Sequence, residues 1–127
     1  MQHAQHPELA AGRWQTLSLL EQLANSGSEV ERALSWAAKG NEEYSAKALD
    51  RALELLNLTI ADPKNRFRLK ELTRLREALL DYFVGPNDFR STPATWHSYF
   101  HTYGMGVALQ RQTRSAPHTD ARGESCT

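Results

Sequence analysis

Arginine and histidine side chains in the stretch FRSTPATWHSY are the residues whose types and spacing best suit a chemical reaction. Arg90 precedes His97 in this stretch, with six residues between them. Histidine exchanges a proton near neutral pH, and arginine can hold a phosphate with several N–H donors. The pair therefore has the groups that metal-independent cleavage of RNA needs, an acid or base and a cation on the phosphate.

The same stretch resembles the Arg-x4–6-His motif of the HEPN family of helical-bundle proteins, many of which are ribonucleases or toxins acting as dimers. The resemblance implies that Arg90 would contact the scissile phosphate and that His97 would act on the attacking 2′-hydroxyl or on the leaving group. Family members usually have a polar residue, commonly Asn, after the arginine and a continuous helical turn up to the histidine, whereas Pro93 interrupts that turn here. Residues 17–111 also resemble small prokaryotic four-helix-bundle proteins related to ribosomal intervening-sequence proteins, which form symmetric oligomers.

His97 and His101 lie one helical turn apart, a spacing that two metal ligands can use. The sequence has no HExxH motif, no Glu-x-x-His pair and no cysteine cluster that would complete a site. Its single cysteine, Cys126, stands in a polar stretch. Because glycine-rich phosphate loops and nucleophilic serine motifs are missing too, the sequence predicts no metal and no cofactor, and it favours a protein that is not an enzyme.

The densest run of positive charge lies between positions 64 and 76. Arg66, Lys70 and Arg74 repeat at helical spacing and would align along one side of a helix. This side is a candidate surface for nucleic acid, but Glu77 and Asp81 continue it, and no aromatic residue is expected among the basic ones for base stacking. The pattern favours a solvent-exposed face over an RNA-binding one.

Arg76 interrupts an apolar face formed by Leu72, Leu79 and Phe83. An arginine in such a place either extends its guanidinium to the edge of the face or pairs with a buried carboxylate. Glu31, at the margin of the apolar face of the first helix, is the preferred partner. The sequence therefore predicts a buried ion pair between Arg76 and Glu31.

The composition describes one domain without a global electrostatic field. The 127 residues include 15 basic and 15 acidic ones, so the formal net charge is zero, and affinity for nucleic acid or membrane would need a local patch. No stretch has the length and apolar character of a membrane span, and the first residues lack the pattern of a signal peptide. The sequence predicts a cytoplasmic protein that does not enter a membrane.

Apolar residues recur at helical spacing along the chain, and nothing alternates with the period of a strand. Capping and stop signals, such as the capping box of Ser18 and Glu21, divide this pattern into helices at 18–39, 42–61, 63–85 and 92–112. Short connections make neighbouring helices antiparallel. The prediction is an all-α, antiparallel up-and-down four-helix bundle over residues 17–112, with a flexible arm at 1–16 and a disordered tail at 113–127.

Two features of this bundle predict contact with another chain. The second helix carries apolar residues, among them Leu49 and Leu53, over more than half of its circumference. Gly27 opens a face of small residues on the first helix, where close packing is the expected reason for a glycine and a local kink is the alternative. Trp36 projects from the polar face as a partner surface, unless Trp14 or the N-terminal arm folds over it.

These features predict a homo-oligomer, in its simplest form a dimer, that acts as a protein-interaction or scaffold module. The alternative is an RNA-binding or HEPN-like ribonuclease bundle that uses Arg90 and His97.

Overall fold

A computed structural model of the protein describes residues 12–103. Five α-helices follow one another in this range, and no strand occurs among these residues. They are α1, a single turn over residues 12–15; α2, Leu19–Ala38; α3, Glu42–Ala61; α4, Leu69–Phe83, preceded by a 3₁₀ helix at Pro63–Arg68; and α5, which starts at residue 93 and continues to residue 103. The predicted all-α class is confirmed.

The predictions for the chain ends are only partly covered by the described range. Residues 1–11, the predicted helix end near residue 112 and the predicted tail at 113–127 lie outside it. Residues 12–16 of the predicted flexible arm lie inside it, and they include the helical turn α1 and the buried Trp14. The expectation of a flexible arm is therefore wrong for these residues, because Trp14 is packed into the protein.

The helix starts follow the side chains that the sequence offers as caps. The Ser18 hydroxyl accepts from the Glu21 N–H at 3.1 Å, and the Glu21 carboxylate accepts from the Ser18 N–H at 3.0 Å, so the predicted capping box is present. Asn41 caps α3 by accepting from the Tyr44 N–H at 3.0 Å. Gly40 has a φ of 78°, which lets the chain reverse between α2 and α3 without steric cost.

One continuous core joins α2, α3, α4 and α5. Its buried side chains are Leu23, Val30 and Leu34 from α2, Ala52 and Leu56 from α3, Leu72, Leu75 and Leu79 from α4, and Trp96 and Phe100 from α5. Each helix contributes residues spaced three, four or seven apart, which is the pattern of a helix with one buried face. The aromatic residues of α5 thus close the bundle.

Gly27 and Leu49 were predicted to lie in an interface between chains, but both are buried within this chain. A β-carbon added at Gly27 would come within 2.6 Å of the Phe100 ring, so the glycine allows α5 to pack closely against α2. Leu49 packs with Ala33 of α2, and Leu53 lies against the same cluster. The interface prediction is wrong for Gly27 and Leu49, because the wide apolar arc of α3 is used by neighbouring helices.

Trp36 is half-buried by a side chain that the sequence reasoning did not consider. The Tyr44 ring meets it edge to face, with 4.9 Å between the centroids, and the Lys39 ammonium lies 4.9 Å from the indole centroid. Trp14 does not cover it, since the Trp14 indole donates to the Thr59 hydroxyl. The first turn of α3 therefore occupies part of the surface predicted for a partner.

A buried group of polar side chains, which we call the polar cluster, joins α1, α2, the end of α3 and the 3₁₀ helix. The Gln22 amide donates to Asp62 at 2.8 Å and to the Trp14 carbonyl at 3.0 Å, and it accepts from Asn65 at 2.9 Å. Asn65 also donates to the Thr59 carbonyl at 2.9 Å. A continuous α-helix was predicted from residue 63, but Pro63–Arg68 form a 3₁₀ helix. The hydrogen bonds of the polar cluster explain this difference, because they fix the conformation of this first turn.

Asp62 caps this 3₁₀ helix, as the sequence predicts, by accepting from the Lys64 N–H at 3.1 Å. The Lys64 ammonium also binds its carboxylate. Burial by itself raises the pKa of the Asp62 carboxyl, but the hydrogen bonds from Lys64 and Gln22 outweigh it and hold this pKa below its ordinary value. The carboxylate is therefore charged and paired inside the protein.

The predicted ion pair between Arg76 and Glu31 is wrong. The Arg76 guanidinium instead donates through Nε to the Asn57 side chain at 2.9 Å, near the surface. Glu31 lies against His97 of α5, with 2.6 Å between its Oε2 and the imidazole Nδ1. Helical spacing gave the face on which Arg76 lies, but the neighbour on that side is α3 rather than α2.

Candidate functional site

An elongated apolar groove lies between α4, with its preceding 3₁₀ helix, and α5, with its preceding loop. Its volume is about 590 Å³. Its apolar and aromatic lining defines what we call the aromatic groove: Phe67, Leu75, Ala78, Phe89, Trp96 and Tyr99.

The groove runs along both helices. Tyr103, at the described end of α5, donates to Glu71 in the first turn of α4 at 3.3 Å. Trp96, near the start of α5, lies beside Tyr82 near the end of α4, with 6.3 Å between the ring centroids. The two helices are therefore antiparallel. Because the lining residues on the α4 side span positions 67–78, the groove is about 16 Å long at the rise of an α-helix.

An exposed phenylalanine marks each end of the groove. Phe67 is 83% exposed and Phe89 is 57% exposed, whereas side chains of this type usually avoid water. The Arg66 guanidinium lies over the Phe67 ring, 4.6 Å from its centroid, so one ring face is supported while the side chain remains accessible. Exposed apolar groups beside an apolar groove are typical of a surface that binds another molecule.

The loop that presents Phe89 is held by side chains of α4 and of the loop itself. The Asp81 carboxylate accepts from the N–H groups of Asp88 and Phe89, at 2.8 and 3.0 Å. Asn87 closes the loop a second time by accepting from the Ser91 N–H at 2.9 Å and donating to its carbonyl at 3.0 Å. These bonds preorganise one end of the groove, because the backbone of the loop is fixed on both sides of Phe89.

The α4 edge of the groove carries more positive than negative charge. Arg68 is satisfied within the protein, since its guanidinium donates to Glu71 at 2.8 and 3.0 Å. Lys70 and Arg74 also line the groove, and neither forms an ion pair with a residue of the described range 12–103. Within residues 12–103, these two cations one helical turn apart therefore have no ion-pair partner.

Two polar groups lie in the wall that α5 contributes. Burial, together with a hydrogen bond to Tyr103, raises the pKa of Tyr99, so its phenol is neutral at physiological pH. The indole N–H of Trp96 is buried and has no hydrogen-bond partner among the described residues. An unpaired buried donor costs free energy.

The structure brings most of the predicted basic surface together at the aromatic groove. It also places an aromatic ring beside these basic residues, which was not predicted. Lys70 and Arg74 line the groove, and Arg66 stacks on the Phe67 ring. The expectation that no aromatic side chain accompanies the basic run is wrong. The signal was present in the sequence as the triplet Arg66, Phe67 and Arg68, but a single phenylalanine between two arginines falls outside the apolar stripe of the helix.

A second concavity, of about 720 Å³, lies on the other side of α5, against α2. Both His97 and His101 line it, as does Glu31, whose carboxylate orients the His97 imidazole. A histidine oriented by a carboxylate is suited to proton transfer, but no lysine or arginine among residues 12–103 lines this concavity. Among residues 12–103, no group of three or more histidine, cysteine or acidic side chains could hold a metal ion.

Arg90 lines neither concavity, although its neighbours Phe89 and Ser91 line the aromatic groove. It is exposed in the loop before α5 with a φ of 57°, and among residues 12–103 it does not share the concavity that His97 lines. Thr92 caps α5 as predicted, with its hydroxyl accepting from the Thr95 N–H at 3.1 Å. The structure thus places the two candidate catalytic residues in different surroundings: His97 is held by α2, and Arg90 is held by the loop.

Comparison of the chain with protein-family models, with curated proteins and with solved structures gives no match. None of the helices in the described range is long and apolar enough to cross a membrane.

Proposed function

We propose that the protein is a non-enzymatic interaction module that binds a partner protein through the aromatic groove. The observation that carries this proposal is the pair of exposed phenylalanines, Phe67 and Phe89, at the two ends of one apolar groove. Apolar side chains of a partner placed between them would remove both rings from water, and burial of apolar surface contributes about 25 cal/mol per Å². No chemical step is needed for this function.

The framework supports a binding role because the groove is preformed. Its two walls are helices joined through one core, and Asp81 holds the loop that carries Phe89. A site that needs little rearrangement loses less conformational entropy when a partner binds. Rigid walls with exposed aromatic side chains are the arrangement found at the centre of many protein interfaces.

The cytoplasmic location and the homo-oligomer expected from the sequence remain part of this proposal. Gly27 and Leu49 are covered within the chain, so self-association would have to use other apolar side chains. Tyr44 and Val84 are exposed outside the aromatic groove and remain available for it, and the test below separates a second copy from a foreign partner.

A neutral fluorescent dye that brightens in apolar surroundings, such as Nile red, tests the proposal directly. We expect the dye to bind the protein and to lose most of its signal with Phe67→Ser combined with Phe89→Ser. Val84→Ser is the matched control, because Val84 is 71% exposed but does not line the groove. Equal dye fluorescence with the wild type and the double variant, both folded by circular dichroism, would refute the proposal. Light scattering of the same samples measures self-association.

Single-stranded RNA is the second candidate ligand, and one observation favours it. Arg66, Phe67 and Lys70 place exposed cations beside an exposed aromatic ring, which is how many proteins hold unpaired bases. The ribonuclease form of this alternative, with Arg90 and His97, stays a prediction. RNA cleavage that persists in a chelator and disappears in both Arg90→Ala and His97→Ala would establish it over the interaction module.

A further inference from the structure

We propose that the occupant of the aromatic groove is an amphipathic helix of a partner protein with acidic side chains along one edge of its apolar face. This inference rests on the proposed interaction function and names the chemistry of the partner. The shape of the groove, the charge of its edges and the composition of its floor each support it.

The shape of the groove suits a helix. It is an elongated space between two antiparallel helices, and a third helix laid along it would complete the packing with apolar residues at helical spacing. About 11 residues of helix cover a length of about 16 Å. The exposed rings of Phe67 and Phe89 would then meet apolar side chains at the two ends of that helix.

The two edges of the groove differ in charge, and this difference selects acidic side chains on one side only. Lys70 and Arg74 stand one turn apart on the α4 edge without a countercharge among the described residues. On the opposite edge, Ser91 and Thr95 are neutral. Acidic residues spaced three or four apart on a bound helix would pair with the two cations. This pairing would also set the rotation of the bound helix about its axis, because its acidic flank must face α4.

The composition of the groove favours such a helix over RNA. Leu75, Ala78 and Trp96 form a concave aliphatic and indole floor, whereas base stacking requires accessible ring faces spaced along a charged backbone path. A second copy of the chain is disfavoured because it would bring Lys70 and Arg74 to the interface from both sides, and like charges placed together reduce affinity.

Three synthetic peptides test the inference. Each is a helical peptide of about 14 residues, enough to cover the groove, with leucines at helical spacing and one flank made of glutamate, glutamine or lysine. At low salt we expect the glutamate peptide to bind about tenfold more tightly than the glutamine peptide, and the lysine peptide to bind more weakly still. Fluorescence anisotropy with labelled peptides measures all three affinities.

Charge reversal of the α4 edge provides the matched variants. Lys70→Glu combined with Arg74→Glu should reverse the order, so that the lysine peptide binds most tightly. Lys39→Glu combined with Lys47→Glu makes the same change in net charge at exposed residues that do not line the groove, and it should keep the wild-type order. Phe67→Ser combined with Phe89→Ser should abolish binding of all three peptides.

The outcomes separate this inference from the proposed function. If the dye reports an open groove but the three peptides bind equally or not at all, the acidic helix is wrong and the interaction module stands. If a labelled oligouridine binds more tightly than the glutamate peptide, or if light scattering shows a dimer that Phe67→Ser disrupts, the occupant is RNA or a second copy, and the inference is overturned.

Discussion

The polar cluster and the aromatic groove lie at opposite extremes of how this chain uses its side chains. In the cluster, Gln22, Asp62 and Asn65 are almost completely buried, and their polar groups are joined by hydrogen bonds between distant parts of the sequence. In the groove, Phe67 and Phe89 are apolar and exposed. In the cluster, the polar groups are hydrogen-bonded to one another and stabilise the fold. In the groove, apolar side chains remain exposed and can contact another molecule. This is the difference between a structural site and a binding site.

Removing the Gln22 side chain should show the largest effect, because it breaks the cluster at its centre. Gln22→Ala removes one hydrogen-bond partner each from Asp62, Asn65 and the Trp14 carbonyl inside the protein, so we expect a loss of about 3 kcal/mol in the free energy of unfolding. Urea denaturation measures this loss. Gln15→Ala is the matched control at an exposed position, and equal midpoints for the two variants would show that the cluster contributes nothing.

Adding a methyl group at Gly27 should displace α5, which forms one wall of the aromatic groove. Gly27→Ala places a carbon against the Phe100 ring, where the space is filled, and we expect a net destabilisation of about 2 kcal/mol despite the better helix propensity of alanine. Binding of Nile red should change too, since α5 must shift. If Gly27→Ala destabilises the Phe100→Leu variant less than it destabilises the wild type, the clash is with the Phe100 ring. An unchanged or higher melting temperature of Gly27→Ala in the wild type would contradict the clash.

The polar cluster should also make stability depend on acid. The pKa of Asp62 is lower in the folded protein than its ordinary value, so the unfolded chain binds the proton more readily. The stabilisation is then complete above the ordinary carboxyl pKa of about 3.9 and is lost as the pH falls through the lower folded value. Melts between neutral and acidic pH should show a weaker loss for Asp62→Asn than for the wild type; parallel curves would exclude this role.

Changes of two side chains at the surface should have the smallest effect on stability. Phe67→Ser and Arg76→Ala should each alter the free energy of unfolding by no more than about 0.5 kcal/mol, because Phe67 is exposed and Arg76 donates to Asn57 near the surface. Only Phe67→Ser should reduce dye binding. A clear loss of stability with Phe67→Ser would mean that this ring stabilises the fold. The distinction between the polar cluster as a structural site and the aromatic groove as a binding site would then be wrong.

The local features of the fold could be predicted from the sequence, whereas the choice of neighbours could not. Capping signals such as Ser18 and Thr92 act within three residues of themselves, so their role can be recognised from the sequence alone. The partner of Arg76 depends on which helix packs against its face, and helical spacing does not contain that information. The prediction of Glu31 failed for this reason.

The candidate site was predicted in part. Lys70 and Arg74 were recognised as members of a basic surface, but the groove beside them depends on the distance between α4 and α5. Phe67 and Phe89 lie outside any apolar period, in a 3₁₀ helix and in a loop. Side chains that serve a partner rather than the core have no reason to follow the periodicity of the core, and a periodicity argument passes over them.

The polar cluster also has a consequence for the order of events in folding. The bonds of Gln22 to Asp62 and to Asn65 join residues separated by 40 and 43 positions, whereas the turn at Gly40 brings α2 and α3 together locally. Contacts between distant positions require closure of a long loop before they contribute. We therefore expect the hairpin of α2 and α3 to form before the transition state and the cluster after it, so that breaking the cluster accelerates unfolding while the refolding rate stays nearly constant.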